Sequence, residues 1–395
     1  MSLRLIHAAA ATLGARLLSA LLSFLVFAQV AKALPPASSA RVLFFSFAFG
    51  FALATFRTFH LVSAGVTGGE SRSQRCRRIR AASRSLLPLT LWLAPATCAL
   101  FVAQGVSWPV AVAALLLTVV CAHDLDLARA VVGRPPLLPW LTALGGLMGS
   151  ALLLGPIGVS ETVCAAAFLL QWTPVAAYQL WHGPRLLSLR ARRGAVVGKD
   201  TKSLSATAGS FLVAIFDGAV LNAPFILALP LAAAAALDLA LGNRLFVASL
   251  ALFSLVGSWV VSGDLQRLAG RAGLSTAKLF AYGQFTLAAV IGGVYAGLYL
   301  GLAQQPVGAN ALAVFVFVLL AYVLHSTAMR FAVTRASTAV RVAVYGPTLV
   351  IFYTVMLWQR VALAPSLWFV VAAVVAGLTV PAAVMAWHVS RHRGP

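Results

Sequence analysis

Acidic residues are almost missing from this chain. Of 395 residues, eight are Asp or Glu, and charged residues of both signs make up 9%. A soluble domain carries roughly 25%. So little charge, with 61% hydrophobic residues and a mean hydropathy of +0.95, leaves no polar surface to face water on all sides. A metal-dependent membrane transferase needs several carboxylates, and the one close pair here is Asp124 and Asp126, read as a solvated helix end. The chain also lacks a Walker A loop, an HExxH pair and any Cys/His spacing that suits a metal. Four cysteines, Cys76, Cys98, Cys121 and Cys164, are scattered in or beside apolar runs, so no disulfide framework is indicated.

What the sequence has is long apolar runs and arginine. A membrane-spanning helix needs about 20 apolar residues. That template predicts an all-α polytopic membrane protein of about twelve spans, at 7–31, 40–65, 85–104, 108–128, 136–155, 160–181, 204–229, 243–262, 277–302, 309–330, 340–358 and 365–388. Net charge is +21, but the basic residues sit in short gaps and no aromatic stacking platform accompanies them, so nucleic acid is not the expected partner. Anionic phospholipid facing the basic gaps is.

With the N-terminus cytoplasmic, alternate gaps hold 23 of the 29 Lys and Arg residues. The outer gaps hold Lys32, Arg41, Arg244 and Arg360, and Arg16 and Arg57 fall inside apolar runs. This alternation supports both the span count and cytoplasmic N- and C-termini. The basic segment 183–203 has six spans before it and six after. The expected organisation is a six-helix bundle over 1–182, a cytoplasmic linker over 183–203 and a second bundle over 204–395, two halves around a central cavity. The stretch "GARLLSALLSFLVFAQVAKALPP", 14–36, also has the outline of a cleaved signal, but it is long enough to cross and completes the six-plus-six pattern.

An ionisable group at membrane depth costs about 2.5–3.5 kcal/mol on insertion scales and marks a functional candidate. Arg16, Ser19 and Ser23 share one face of the first helix. Arg57 and His60 align on the second, with Gly50. Ser210 and Asp217 align on the seventh, and Ser254 and Ser258 on the eighth. Cationic Arg16 and Arg57, aided by His60, would suit a polyanion arriving from the cytoplasm. Asp217 would pair with Arg16 or couple to H⁺ or Na⁺, and the serines would line the cavity. The serine stripes are equally ordinary helix-packing surfaces, and Arg57 and His60 lie near enough to a helix end to snorkel. Pro224 and Pro230 in "NAPFILALP" are expected to kink the seventh helix.

The segment "LGARLLSALLSFLVFAQVAKALPPASSARVLFFSFAFGFALATFRTFHLVSAG", 13–65, has an early Arg on the first helix, "A-x-A-L-P" at its outer end and a second helix closing on Gly. It resembles the opening of Wzx-type lipid-linked oligosaccharide flippases of the multidrug/oligosaccharidyl-lipid/polysaccharide (MOP) superfamily. "ALDLALGNRLFVASLALFSLVGSWVVSGDLQRLAG", 236–270, is similar to the matching piece of the second half. The outer turn "LPPASSARV" departs from the family's usual Gly and aromatic. The resemblance implies an inner-membrane flippase that exports an undecaprenyl-pyrophosphate-linked oligosaccharide by alternating access. It implies no cofactor, and polysaccharide polymerase or export machinery as partners. Cations on the first two helices, here Arg16 and Arg57, would receive the pyrophosphate. A cation-coupled multidrug exporter of the same superfamily is the alternative. A membrane polysaccharide polymerase or ligase is a further one, although such enzymes resemble one another in a large external loop that this chain lacks.

Overall fold

The structure is a computed structural model. It describes residues 3–64, 72–126, 129, 137–155, 158–187, 204–227, 229–261, 264–332, 336–362 and 365–391. Every regular element among them is helical. In chain order these are α1 (Leu3–Ala33), α2 (Pro36–Ala64), α3 (Arg72–Val102), α4 (Trp108–Cys121), α5 (Leu138–Leu154), α6 (Glu161–Leu170), α7 (Thr173–Leu187) and α8 (Leu204–Ile226). Then follow α9 (Ala233–Val261), α10 (Asp264–Arg271), α11 (Thr276–Ala303), α12 (Ala309–Phe331), α13 (Thr338–Val361) and α14 (Leu367–Arg391).

Eight of these helices are long and apolar enough to cross a membrane, and the bent pair α6–α7 makes nine. With the shorter apolar helices α4 and α5 and with α8, each of the twelve expected spans coincides with a helix or a helix pair. The chain is a multi-pass α-helical membrane protein.

The bend between α6 and α7 is 44° and has a local cause. Pro174 has no N–H to return to the carbonyl of Leu170. The Thr173 hydroxyl donates to that carbonyl instead, at 2.9 Å. Just before it, the N–H groups of Gln171 and Trp172 turn back three residues, to Phe168 and Leu169. The span tightens, breaks and restarts without leaving that carbonyl bare to lipid.

Three boundaries differ from expectation. Helix α9 begins ten residues before the predicted 243, because "AAAALDLALG" is rich in strong helix formers that carry the helix past Asp238. Arg244 therefore lies inside a span and not in an outer gap. Helix α8 ends at Ile226, so Pro224 is inside it and Pro230 falls in the connection that follows. The short polar helix α10 was not foreseen; it packs on α9 and α11.

The chain forms two compact units, 1–34 with 41–222, and 35–40 with 223–395. The division thus falls within α8, at Asn222, whereas the expected linker lay at 183–203; of that linker, residues 188–203 are outside the described ones. The same neighbour order recurs in each unit. The third span packs on the fourth (α3 on α4, α11 on α12), and the fourth on the sixth (α4 on α6 and α7, α12 on α14). The fifth also packs on the sixth (α5 on α6 and α7, α13 on α14).

In the first unit α5 presents a glycine face to its neighbours. A Cβ at Gly145 would lie 2.3 Å from the carbonyl oxygen of Gln171, and one at Gly149 2.5 Å from that of Ala167. Gly146 faces Leu22 of α1. Small residues of this kind let membrane helices approach closely, where packing replaces the hydrophobic drive. The second unit uses the device once more. Gly242 of α9 would bring a Cβ within 2.5 Å of the Ala311 carbonyl on α12.

Candidate functional site

The charged side chains that the sequence scatters come together in the first unit. Arg57 and His60 are one turn apart near the end of α2, and Ser83 lies on α3. His123, Asp124 and Asp126 follow α4, and Trp172 sits at the α6–α7 break.

The Arg57 guanidinium reaches the Asp124 carboxylate at 3.5 Å, with side-chain exposures of 16% and 18%. Its carbon lies 5.7 Å from the centre of the Trp172 ring, within cation–π range. Its Nε is buried with no hydrogen-bond partner among the described residues. A guanidinium has five N–H donors in a fixed fork. The long contact to Asp124 offsets charge and leaves most of that donor capacity unused.

His60 is 1% exposed. Its Nδ1 accepts the backbone N–H of Asp124 at 3.0 Å, so the imidazole is neutral and its proton is on Nε2. Nε2 lies 3.0 Å from the Ser83 hydroxyl, to which it donates. Both nitrogens are engaged. His60 therefore holds the Asp124 backbone in place through one nitrogen and meets Ser83 through the other. The His123 ring stands edge-on to His60 at 5.4 Å. Burial holds His123 below the usual histidine range, partly offset by a hydrogen bond with the Ser83 backbone. Neither histidine then adds positive charge beside Arg57 at neutral pH.

Asp126 accepts the N–H groups of Leu137 and Leu138 at 2.8 and 3.0 Å, satisfying donors at the start of α5. The two aspartates are thus not a solvated helix end, as their sequence position suggested. One is the counter-ion of Arg57 and the other a helix cap. Gln179 of α7 donates to the His123 carbonyl at 3.0 Å, and Arg129 to the Tyr178 hydroxyl at 3.0 Å. These bonds tie α7 to the turn that carries Asp124. Removing Ser83 tests the arrangement. Ser83→Ala removes one partner of the buried His60 ring and leaves its hydrogen bond with the Ile79 backbone, a cost of about 0.5–1.5 kcal/mol, to be read as a lower unfolding temperature in detergent.

Ser19 makes its contact elsewhere in the first unit. Arg16 is exposed on α1. Ser19, expected to line a cavity, is 2.8 Å from the Thr142 hydroxyl where α1 meets α5, so it serves helix packing. Ser23 is half-buried on the same helix. The side chains of Ser210, Asp217, Ser254 and Ser258 lie outside the described residues. The sequence reading missed Asp124 as the partner of Arg57, although a carboxylate ending a span is conspicuous in a chain with eight acids. It also missed Arg244, which sits inside α9 between buried Asn243 and Leu245 and close to the Tyr295 phenol of α11. No group of three metal-ligating side chains occurs among the described residues.

No protein-family model matches the chain, and no curated protein does. Among solved structures it is similar to an inward-facing multidrug-resistance MATE-family transporter of the MOP superfamily. That match is 14% identical, covers 95% of this chain and 96% of that one, and has a TM-score of 0.45. A second similar structure is a MATE protein in a bent conformation, 14% identical, covering 95% and 92% of the two chains, with a TM-score of 0.44. Likeness at this level carries no substrate with it.

Proposed function

We propose that this protein is a bacterial inner-membrane exporter that moves an undecaprenyl-pyrophosphate-linked oligosaccharide by alternating access, without covalent chemistry. The reading rests on the twelve-span pattern, on the resemblance of 13–65 and 236–270 to Wzx-type flippases, and above all on Arg57. That residue is a guanidinium kept in an acid-poor unit, with its charge partly offset and its fork largely unused. A pyrophosphate offers several acceptor oxygens to such a fork. Arg16 on α1 is the second cation of this reading, and Asp217 the site of H⁺ or Na⁺ coupling. Polysaccharide polymerase or export machinery would be its working partners.

The test is surface polysaccharide in a host lacking the native copy. Arg57→Gln should abolish it at unchanged membrane levels of the protein. Arg57→Lys, which keeps charge and loses the fork, should restore part. Normal polysaccharide with Arg57→Gln would reject the reading. The second reading, a cation-coupled multidrug exporter, is favoured by one observation: the half-buried Asp124 carboxylate beside Arg57. It predicts that Asp124→Asn removes efflux of cationic dyes and leaves polysaccharide untouched.

A further inference from the structure

A groove of about 720 Å³ runs along the outside of the first unit, between α5 and α7. Leu141, Leu144 and Met148 form one wall, and Pro174, Ala177 and Trp181 the other. Helix α5 runs antiparallel to α6, since Gly145 faces Gln171 and Gly149 faces Ala167, and α7 continues α6 beyond the 44° bend. Leu141 is therefore at the same end as Tyr178 and His182, and Met148 at the same end as Thr173. From Leu141 to Met148 the wall is about 10 Å long.

The two ends differ chemically. At the Leu141 end the Tyr178 and His182 rings stack at 4.5 Å, and Arg129 donates to the Tyr178 hydroxyl. Trp140 and Trp181 flank this end, 48% and 73% exposed. Exposed tryptophans gather at the level of lipid headgroups. The far end is apolar. An exposed apolar trough whose end is lined by a phenol and an imidazole, with the Arg129 guanidinium bonded to that phenol, is complementary to a molecule with a hydrocarbon chain and an anionic head.

We propose that this groove is a binding site for an anionic glycerophospholipid, with one acyl chain along α5 and α7 and the phosphate at Arg129 and His182. The site is separate from Arg57 and does not depend on the transported substrate. It would fasten lipid to Arg129, five residues beyond Asp124 in the chain.

Native mass spectrometry of the purified full chain tests this, with phosphatidylglycerol and phosphatidylcholine of identical chains as probes. The wild type should retain phosphatidylglycerol about fivefold better, the worth of one arginine near a membrane surface. Arg129→Gln should make the two lipids equal. Ala177→Phe fills the trough and should remove the retained lipid of both kinds. Leu144→Trp, on the opposite wall, gives the same reading should Ala177→Phe not fold. Ala289→Phe, on an exposed face of α11 in the second unit, should change nothing. The proposal is overturned if the wild type shows no preference, if the groove variants retain lipid as the wild type does, or if Ala289→Phe loses as much.

Discussion

Asp124→Ala is expected to destabilise the protein by about 3 kcal/mol, because it leaves the Arg57 charge part-buried without its counter-ion. The pair is 16% and 18% exposed, so solvent screens it only in part. The His60 bond survives the substitution, since it is made to the Asp124 backbone and not to the carboxylate. The loss therefore does not come from the His60 bond. The double variant Arg57→Ala/Asp124→Ala removes both charges and should recover most of the stability, because two absent charges leave nothing to solvate. Thermal unfolding of the four proteins in detergent completes the cycle. Additive losses in the double variant would mean that the two residues do not act as a pair.

The second large effect is steric. Gly145→Ala places a methyl 2.3 Å from a backbone oxygen of Gln171, and Gly149→Ala places one 2.5 Å from that of Ala167. No flexible side chain stands there to move aside, so α5 must shift away from the α6–α7 span. Overpacking costs typically about 1–3 kcal/mol per site. The two together are expected to abolish the folded protein, seen as loss of the monodisperse peak after detergent extraction. Gly50→Ala and Gly293→Ala meet nothing within 4 Å and should be silent. The same contact fixes Gln171 and Trp172, so a milder variant such as Gly145→Ala alone should also loosen Trp172 from Arg57.

Span positions are legible in this sequence because the membrane demands length and apolarity, and both are local properties. The charge alternation then checks the count. Legibility fails where a decision depends on residues far apart. Arg57 and Asp124 are 67 positions apart, and nothing near either one names the other. Asp124 looked solvated because a carboxylate at a helix end usually is, and its partner is supplied by packing. Counting charges in alternate gaps places Arg244 outside, whereas the alanines before it carry the helix from Ala233 past it. The break at Gln171–Trp172 is readable in the sequence. Pro174 marks it directly, and Thr173 supplies the compensating hydroxyl. Ser19 is used for helix contact, the packing role that a serine stripe in a membrane helix also allows.

The most direct test of the central claim is translocation of a fluorescent undecaprenyl-pyrophosphate oligosaccharide in reconstituted vesicles by Arg57→Ala/Asp124→Ala, compared with the wild type. The double variant should fold and insert, yet translocation should fall to background, because the fork proposed to meet the pyrophosphate is gone. Translocation at the wild-type rate by this folded variant would contradict the account.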